Sequence, residues 1–146
     1  MIRDVTAQFG DLLPLIAAYI LAIPIAWNRE RLGHSAGLRT FPLVALASCG
    51  FIEAAEITMQ MEREAMARVV EGVVTGIGFI GGGAILQKHG DVRGTATAAS
   101  LWVTAAIGIA CGLGAFPVAV FLSLLTLFTL VVMPTVKSTL GHEDQS

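Results

Sequence analysis

From Gly94 to Val136 the chain carries no charged side chain, a run of 43 residues. A helix that crosses the hydrocarbon core of a bilayer needs about 20 consecutive apolar residues, so this run is long enough for two. The stretch GLGAFP, Gly112–Pro117, breaks it near the middle. Soluble domains carry about 25% charged residues; this chain of 146 has 14%, with 55% hydrophobic. Both facts point to a chain whose solvent is lipid.

The remainder divides the same way. Apolar segments fall at about 12–27, 40–57, 69–86, 95–113 and 116–136. None keeps a period-two alternation, and the later ones are too long for strands. A β-barrel needs many alternating segments of about ten residues. The expected fold is therefore all-α: one domain, 1–146, forming an integral membrane bundle of five transmembrane helices. The second segment is free of charge only over 40–52. Its helix must include Glu53, with Glu56 close behind, or lie tilted and shallow.

Short loops rich in Lys and Arg stay in the cytoplasm. With five spans, six of the nine basic residues (Arg29, Arg31, Arg39, Lys88, Arg93, Lys137) fall on one side and seven of the eleven acids on the other. This places the N-terminus outside and the C-terminus in the cytoplasm. The start MIRDVTAQFGD lacks the positive region and cleavage site of a signal peptide. A net charge of −2 gives no electrostatic case for nucleic acid. Cys49 and Cys111 lie in apolar runs and read as small buried hydrophobes.

Gly76–Gly81, GIGFIG, is a literal G-x-G-x-x-G. A dinucleotide site also needs a preceding strand and an acid about 20 residues on. Position 101 is Leu101, so the nucleotide reading fails. Small residues spaced by four instead let a neighbouring backbone come close. Gly72 and Gly76, and Gly78 and Gly82, have that spacing. The row Thr97, Ser100, Thr104, Gly108, Cys111 in the next span, with gaps of 3, 4, 4 and 3, keeps to one face as well. The third and fourth spans are expected to pack through these faces, with Gly76→Leu disrupting the contact. Phe121, Leu122, Leu125 and Phe128 are expected to face lipid. The triplet Gly81–Gly83 leaves two arrangements open. One is a tightly packed continuous helix. The other is a helix broken at membrane depth, as in transporters.

Three stretches in order, NRERLGHSAGLRTFPLV, RVVEGVVTGIGFIGGGAIL and VRGTATAASLWVTAAIGIACGLG, resemble the MgtC/SapB family of bacterial inner-membrane proteins. The motif positions that carry the resemblance are Arg29, Ala36, Gly37, Leu38, Arg39 and Thr40 in the first loop. In the third span they are Gly76, Gly78, Phe79, Gly81 and Gly83. Around the fourth they are Arg93, Gly94, Thr97, Trp102 and Gly108. The resemblance implies a multi-pass inner-membrane protein linked to growth in low Mg²⁺ and, in pathogens, to survival inside host cells. It implies regulation of another membrane complex, with the proton-driven ATP synthase as one partner, rather than magnesium pumping. No nucleophile and base pair stands out among the residues themselves, so neither an enzymatic activity nor a cofactor is expected. The family's first loop usually reads G-x-E-R; with Trp27, Asn28 and Arg29 set in that place, the acid is missing. Longer members add a soluble C-terminal domain.

The titratable residues admit two readings each. Glu53, Glu56 and Glu71 sit near the outer span ends, either as a solvated rim, with Glu71 paired to Arg68, or as weak ligands for an external cation. Arg39 and Arg93 either snorkel and orient the chain or form a cytoplasmic rim for an anion, a lipid head group or a partner. Thr40 is expected to cap the second helix. His34, His89 and His142 are scattered, and His34 beside Ser35 makes no catalytic set. The leading expectation is a non-enzymatic regulator acting by helix contact, possible as a homo-oligomer. The alternative is a small oligomeric channel or transporter for Mg²⁺ or another cation.

Overall fold

The structure, a computed structural model, describes residues 12–34, 36–59, 63–88 and 91–140. Five helices are present among them: α1 (Leu13–Arg31), α2 (Thr40–Met59), α3 (Arg63–Gly83), α4 (Thr95–Gly112) and α5 (Phe116–Leu140). Four of the five, α2 to α5, are long and apolar enough to cross a membrane. In α1 the apolar part ends at Trp27, and Asn28–Arg31 form a polar last turn.

The helix ends differ from the sequence expectation where local chemistry competes with apolarity. α3 begins at Arg63 rather than near 69, because Glu64, Arg68 and Glu71 fit an exposed helix surface near its N-terminal end. It stops at Gly83 rather than 86. There the chain enters a short hairpin, β1 (Leu86–Lys88) with antiparallel β2 (Asp91–Arg93), in which Leu86 faces Arg93 and Lys88 faces Asp91. The triplet Gly81–Gly83 thus forms the last turn of a helix, neither a mid-membrane break nor the interior of a longer span. Gly94, at φ +89, turns the chain from the hairpin into α4, and a Cβ there would overlap the Ala84 carbonyl. Only glycine satisfies both demands.

α4 is the centre of the bundle and packs on all four other helices. Its small residues make this possible: Thr97, Ser100, Thr104, Gly108, Cys111 and Gly112 are all buried. The closest approach is to α2. A Cβ on Gly108 would collide with the Ala45 carbonyl oxygen and Ser48, and one on Gly112 would lie 2.7 Å from Ile52 Cβ. Cys49 and Cys111 are buried and free. With lipid outside, such packing is held by close van der Waals contact rather than by the hydrophobic effect. Polar side chains in the core are absorbed by backbone. Ser100 Oγ donates to Ala96 O at 2.7 Å, and Thr104 Oγ1 donates to Ser100 O at 2.7 Å. The outer surface is apolar, with Ile16, Ile20, Phe121, Leu124 and Phe128 exposed, as a lipid-facing surface requires.

Candidate functional site

The loops 32–39 and 84–94 follow α1 and α3, and short connections make successive helices antiparallel. Both loops therefore lie at one end of the bundle. The two loops and the turns beside them carry Arg29, Arg31, Arg39, Lys88 and Arg93 in sequence, with Glu30 and Asp91.

The first loop is built around Glu30. The Glu30 carboxylate accepts the Leu38 N–H at 3.0 Å. Gly37 lies directly beneath it, and a Cβ at Gly37 would overlap the carboxylate. The Gly37 carbonyl in turn accepts the N–H groups of Thr40 and Phe41 at 3.0 and 3.2 Å, starting α2. Thr40 is therefore the first helical residue and not the cap. Glu30 supplies the acid expected to be missing from this loop. It follows Asn28 and Arg29, and the sequence Glu30-Arg31 is itself the E-R pair.

Arg29 is buried, only 3% exposed. Its Nε and Nη2 donate to Asn28 Oδ1 at 3.3 and 2.9 Å. Burial lowers its pKa from the ordinary guanidinium value. This places Arg29 inside the fold and not on a solvated rim. His34 lies nearby, its N–H donating to the Arg29 carbonyl at 3.2 Å. Its pKa is lowered by partial burial and then by the Arg29 charge. Ala36 is buried and Leu38 exposed.

Arg39 is exposed at one end of a groove of about 700 Å³ between α2 and α3. Leu43 and Phe51 line one wall, and Gly72 and Gly76 the other. This corrects the expected glycine contact. A Cβ at Gly72, Gly76, Gly78, Gly82 or Gly83 would meet nothing within 4 Å. α3 does pack on α4, but through Gly81, set against Ala98, and the buried Ile77. The small row of α4 is buried as expected, yet at Gly108 its neighbour is α2 and not α3. Periodicity identified the small faces but not their partners.

On the outward side of α3 lie Thr75, Gly78, Phe79 and Gly82, with Phe79 86% exposed. Trp102 is half-exposed on α4. Arg93 is exposed at the end of β2, and Thr97 is buried in the first turn of α4. Glu53 is half-buried, and Glu56 and Glu71 are exposed. Among the described residues, no three His, Cys, Asp or Glu side chains gather into a set able to hold a metal ion. Ser35, His89 and His142 lie outside the described residues.

A family model described as the MgtC family matches residues 15–139. Protein SrpB of Synechococcus elongatus is 37% identical over 131 residues, 80% of this chain and 70% of SrpB. Protein MgtC of Salmonella typhimurium is 40% identical over 109 residues, 75% of this chain and 46% of MgtC. A protein of Escherichia coli K12 named putative magnesium transporter YhiD is 36% identical over 133 residues, 87% of this chain and 61% of YhiD. The chain thus matches about half the length of MgtC and under two thirds of YhiD. No solved structure matches it.

Proposed function

The chain belongs to the MgtC family, and from that premise we propose that it is a non-enzymatic protein of the bacterial inner membrane that helps the cell adapt to low Mg²⁺ by regulating a partner membrane complex. The N-terminus lies outside and the basic end faces the cytoplasm, in keeping with the positive-inside rule. The contact with the partner is made by helix packing. The observation that carries this reading is the outward face of α3. Gly78 and Gly82, one turn apart and with open space above them, lie beside the exposed Phe79. Small residues at this spacing admit a foreign helix at close range, and Phe79 supplies an anchor.

The buried interior argues for regulation over transport by a single copy. Among the described residues, the buried polar and charged side chains are Arg29, Ser48, Thr97, Ser100, Thr104 and Ser123. None is a carboxylate, whereas Mg²⁺ is usually held by carboxylates with retained waters. The second reading, an oligomeric Mg²⁺ channel or transporter, is favoured by the name of the YhiD relative.

Two measurements on the full chain test these readings. Photo-crosslinkers at positions 78 and 79, in cells grown in low Mg²⁺, are expected to trap one membrane complex, the proton-driven ATP synthase being the first candidate by family resemblance. Purified protein in proteoliposomes is expected to pass no Mg²⁺. Protein-dependent flux, lost in Arg39→Ala, would put the transporter first. Cysteines introduced at 55–59 should label from outside and those at 32–34 from inside; the reverse would overturn the orientation.

A further inference from the structure

The groove between α2 and α3 lies on a different side of α3 from the partner face. Arg39 and Phe51 mark its extent along α2. Twelve residues at 1.5 Å each give a length of about 18 Å, close to the depth of one leaflet, about 15 Å, half the hydrocarbon core. An apolar groove of this length with a cation at one end suits a polymethylene chain that carries an anionic head group. Its walls are nearly all apolar, and its polar end is Arg39 with Thr40. Arg39 is exposed and makes no ion pair with another described residue. Gly72 and Gly76 hold the α3 wall back, at a cost of about 1 kcal/mol each relative to alanine, yet a Cβ at either meets no described residue within 4 Å.

We propose that this groove holds an acyl chain of one anionic phospholipid whose phosphate rests on the Arg39 guanidinium. The charge at the groove's end selects the head group, and the glycine wall accepts the chain. The inference is independent of the partner reading.

The test is native mass spectrometry of the full-length protein in detergent, titrated with phosphatidylglycerol or with phosphatidylcholine of identical chains. The wild type is expected to retain one phosphatidylglycerol at least threefold better than phosphatidylcholine. Arg39→Gln should bind the two equally. Arg31→Gln should keep the preference, because Arg31 lines a separate cleft between α1 and α5. Gly76→Leu should reduce both lipids at least fivefold with a melting temperature no lower than the wild type's, since a Cβ there meets no described residue within 4 Å. Free inorganic phosphate should not displace the lipid. Equal retention of both lipids by the wild type overturns the proposal, as does a preference that survives Arg39→Gln in folded protein. Crosslinks between cysteines at position 76 of two copies, with no retained lipid, would assign the groove to a second copy instead.

Discussion

The hydroxyl of Ser123 on α5 donates to the backbone carbonyl of Leu21 on α1 at 2.7 Å, joining residues 102 apart in sequence. The acceptor sits one turn before Pro24, inside α1. A proline within a helix has no N–H to donate, crowds the carbonyl four residues back and kinks the helix. In a membrane no water is at hand to satisfy backbone exposed by such a distortion, and neighbouring helices or Ser and Thr side chains do so instead. Pro24 leaves the Ile20 carbonyl without its intrahelical donor, and Ser123 adds a donor from α5 at the neighbouring carbonyl, that of Leu21.

Ser123→Ala should therefore lower the melting temperature in detergent, by a loss of about 0.6–1.7 kcal/mol, the range for interhelical hydrogen bonds in membranes. Ser123→Thr should retain most of the stability. An alanine variant as stable as the wild type would show that the bond contributes nothing.

The glycines of α3 and α4 should respond in opposite ways. Gly108→Ala drives a methyl group into the Ala45 backbone, and overpacking of this kind costs about 1–3 kcal/mol. Gly76→Leu points into open groove and should leave membrane abundance unchanged. Abundance measured for both in one expression series decides the matter. A fall for Gly76→Leu alone would restore the close contact read from the sequence.

Glu30→Ala removes the acceptor for the Leu38 N–H, a side-chain-to-backbone bond of the helix-capping kind, and should cost about 1 kcal/mol. Gly37→Ala should cost a similar amount by displacing the same carboxylate. The two effects should not add, because both break one contact. A double variant whose melting temperature falls by the full sum would show two independent sites.

His34 should make stability depend on pH. Partial burial and the Arg29 charge hold its pKa below the ordinary 6.5, so the unfolded chain binds the proton more readily. The contribution is then full above pH 6.5 and is lost as pH falls through the lower folded value. Melting temperature followed down from pH 7 should fall more for the wild type than for His34→Gln. Parallel curves would remove His34 as the source.

Much of this was legible in the residues. Five helices, their order, the burial of the Thr97–Cys111 row and the exposure of Phe121, Leu125 and Phe128 all follow from apolarity, charge and residue size, whereas Leu122, expected to face lipid with them, packs against the core. So did the family, from the order of three motifs. The hairpin at Leu86–Arg93 was not legible as structure, because two three-residue strands are too short to show alternation. Glu30 was passed over because a lone acid in a basic loop looks like solvated charge. Its role depends on the chain folding back eight residues later.

What the sequence by itself determined is the solvent and the count of helices, because a charge-free run and the spacing of polar residues are local properties that each segment carries alone. What only the tertiary structure decided is which small face meets which helix. A glycine permits close approach without choosing a neighbour. Gly108 found α2, Gly81 found α4, and Gly72 and Gly76 were left lining a groove, because the hairpin and the short loops set where each helix could lie.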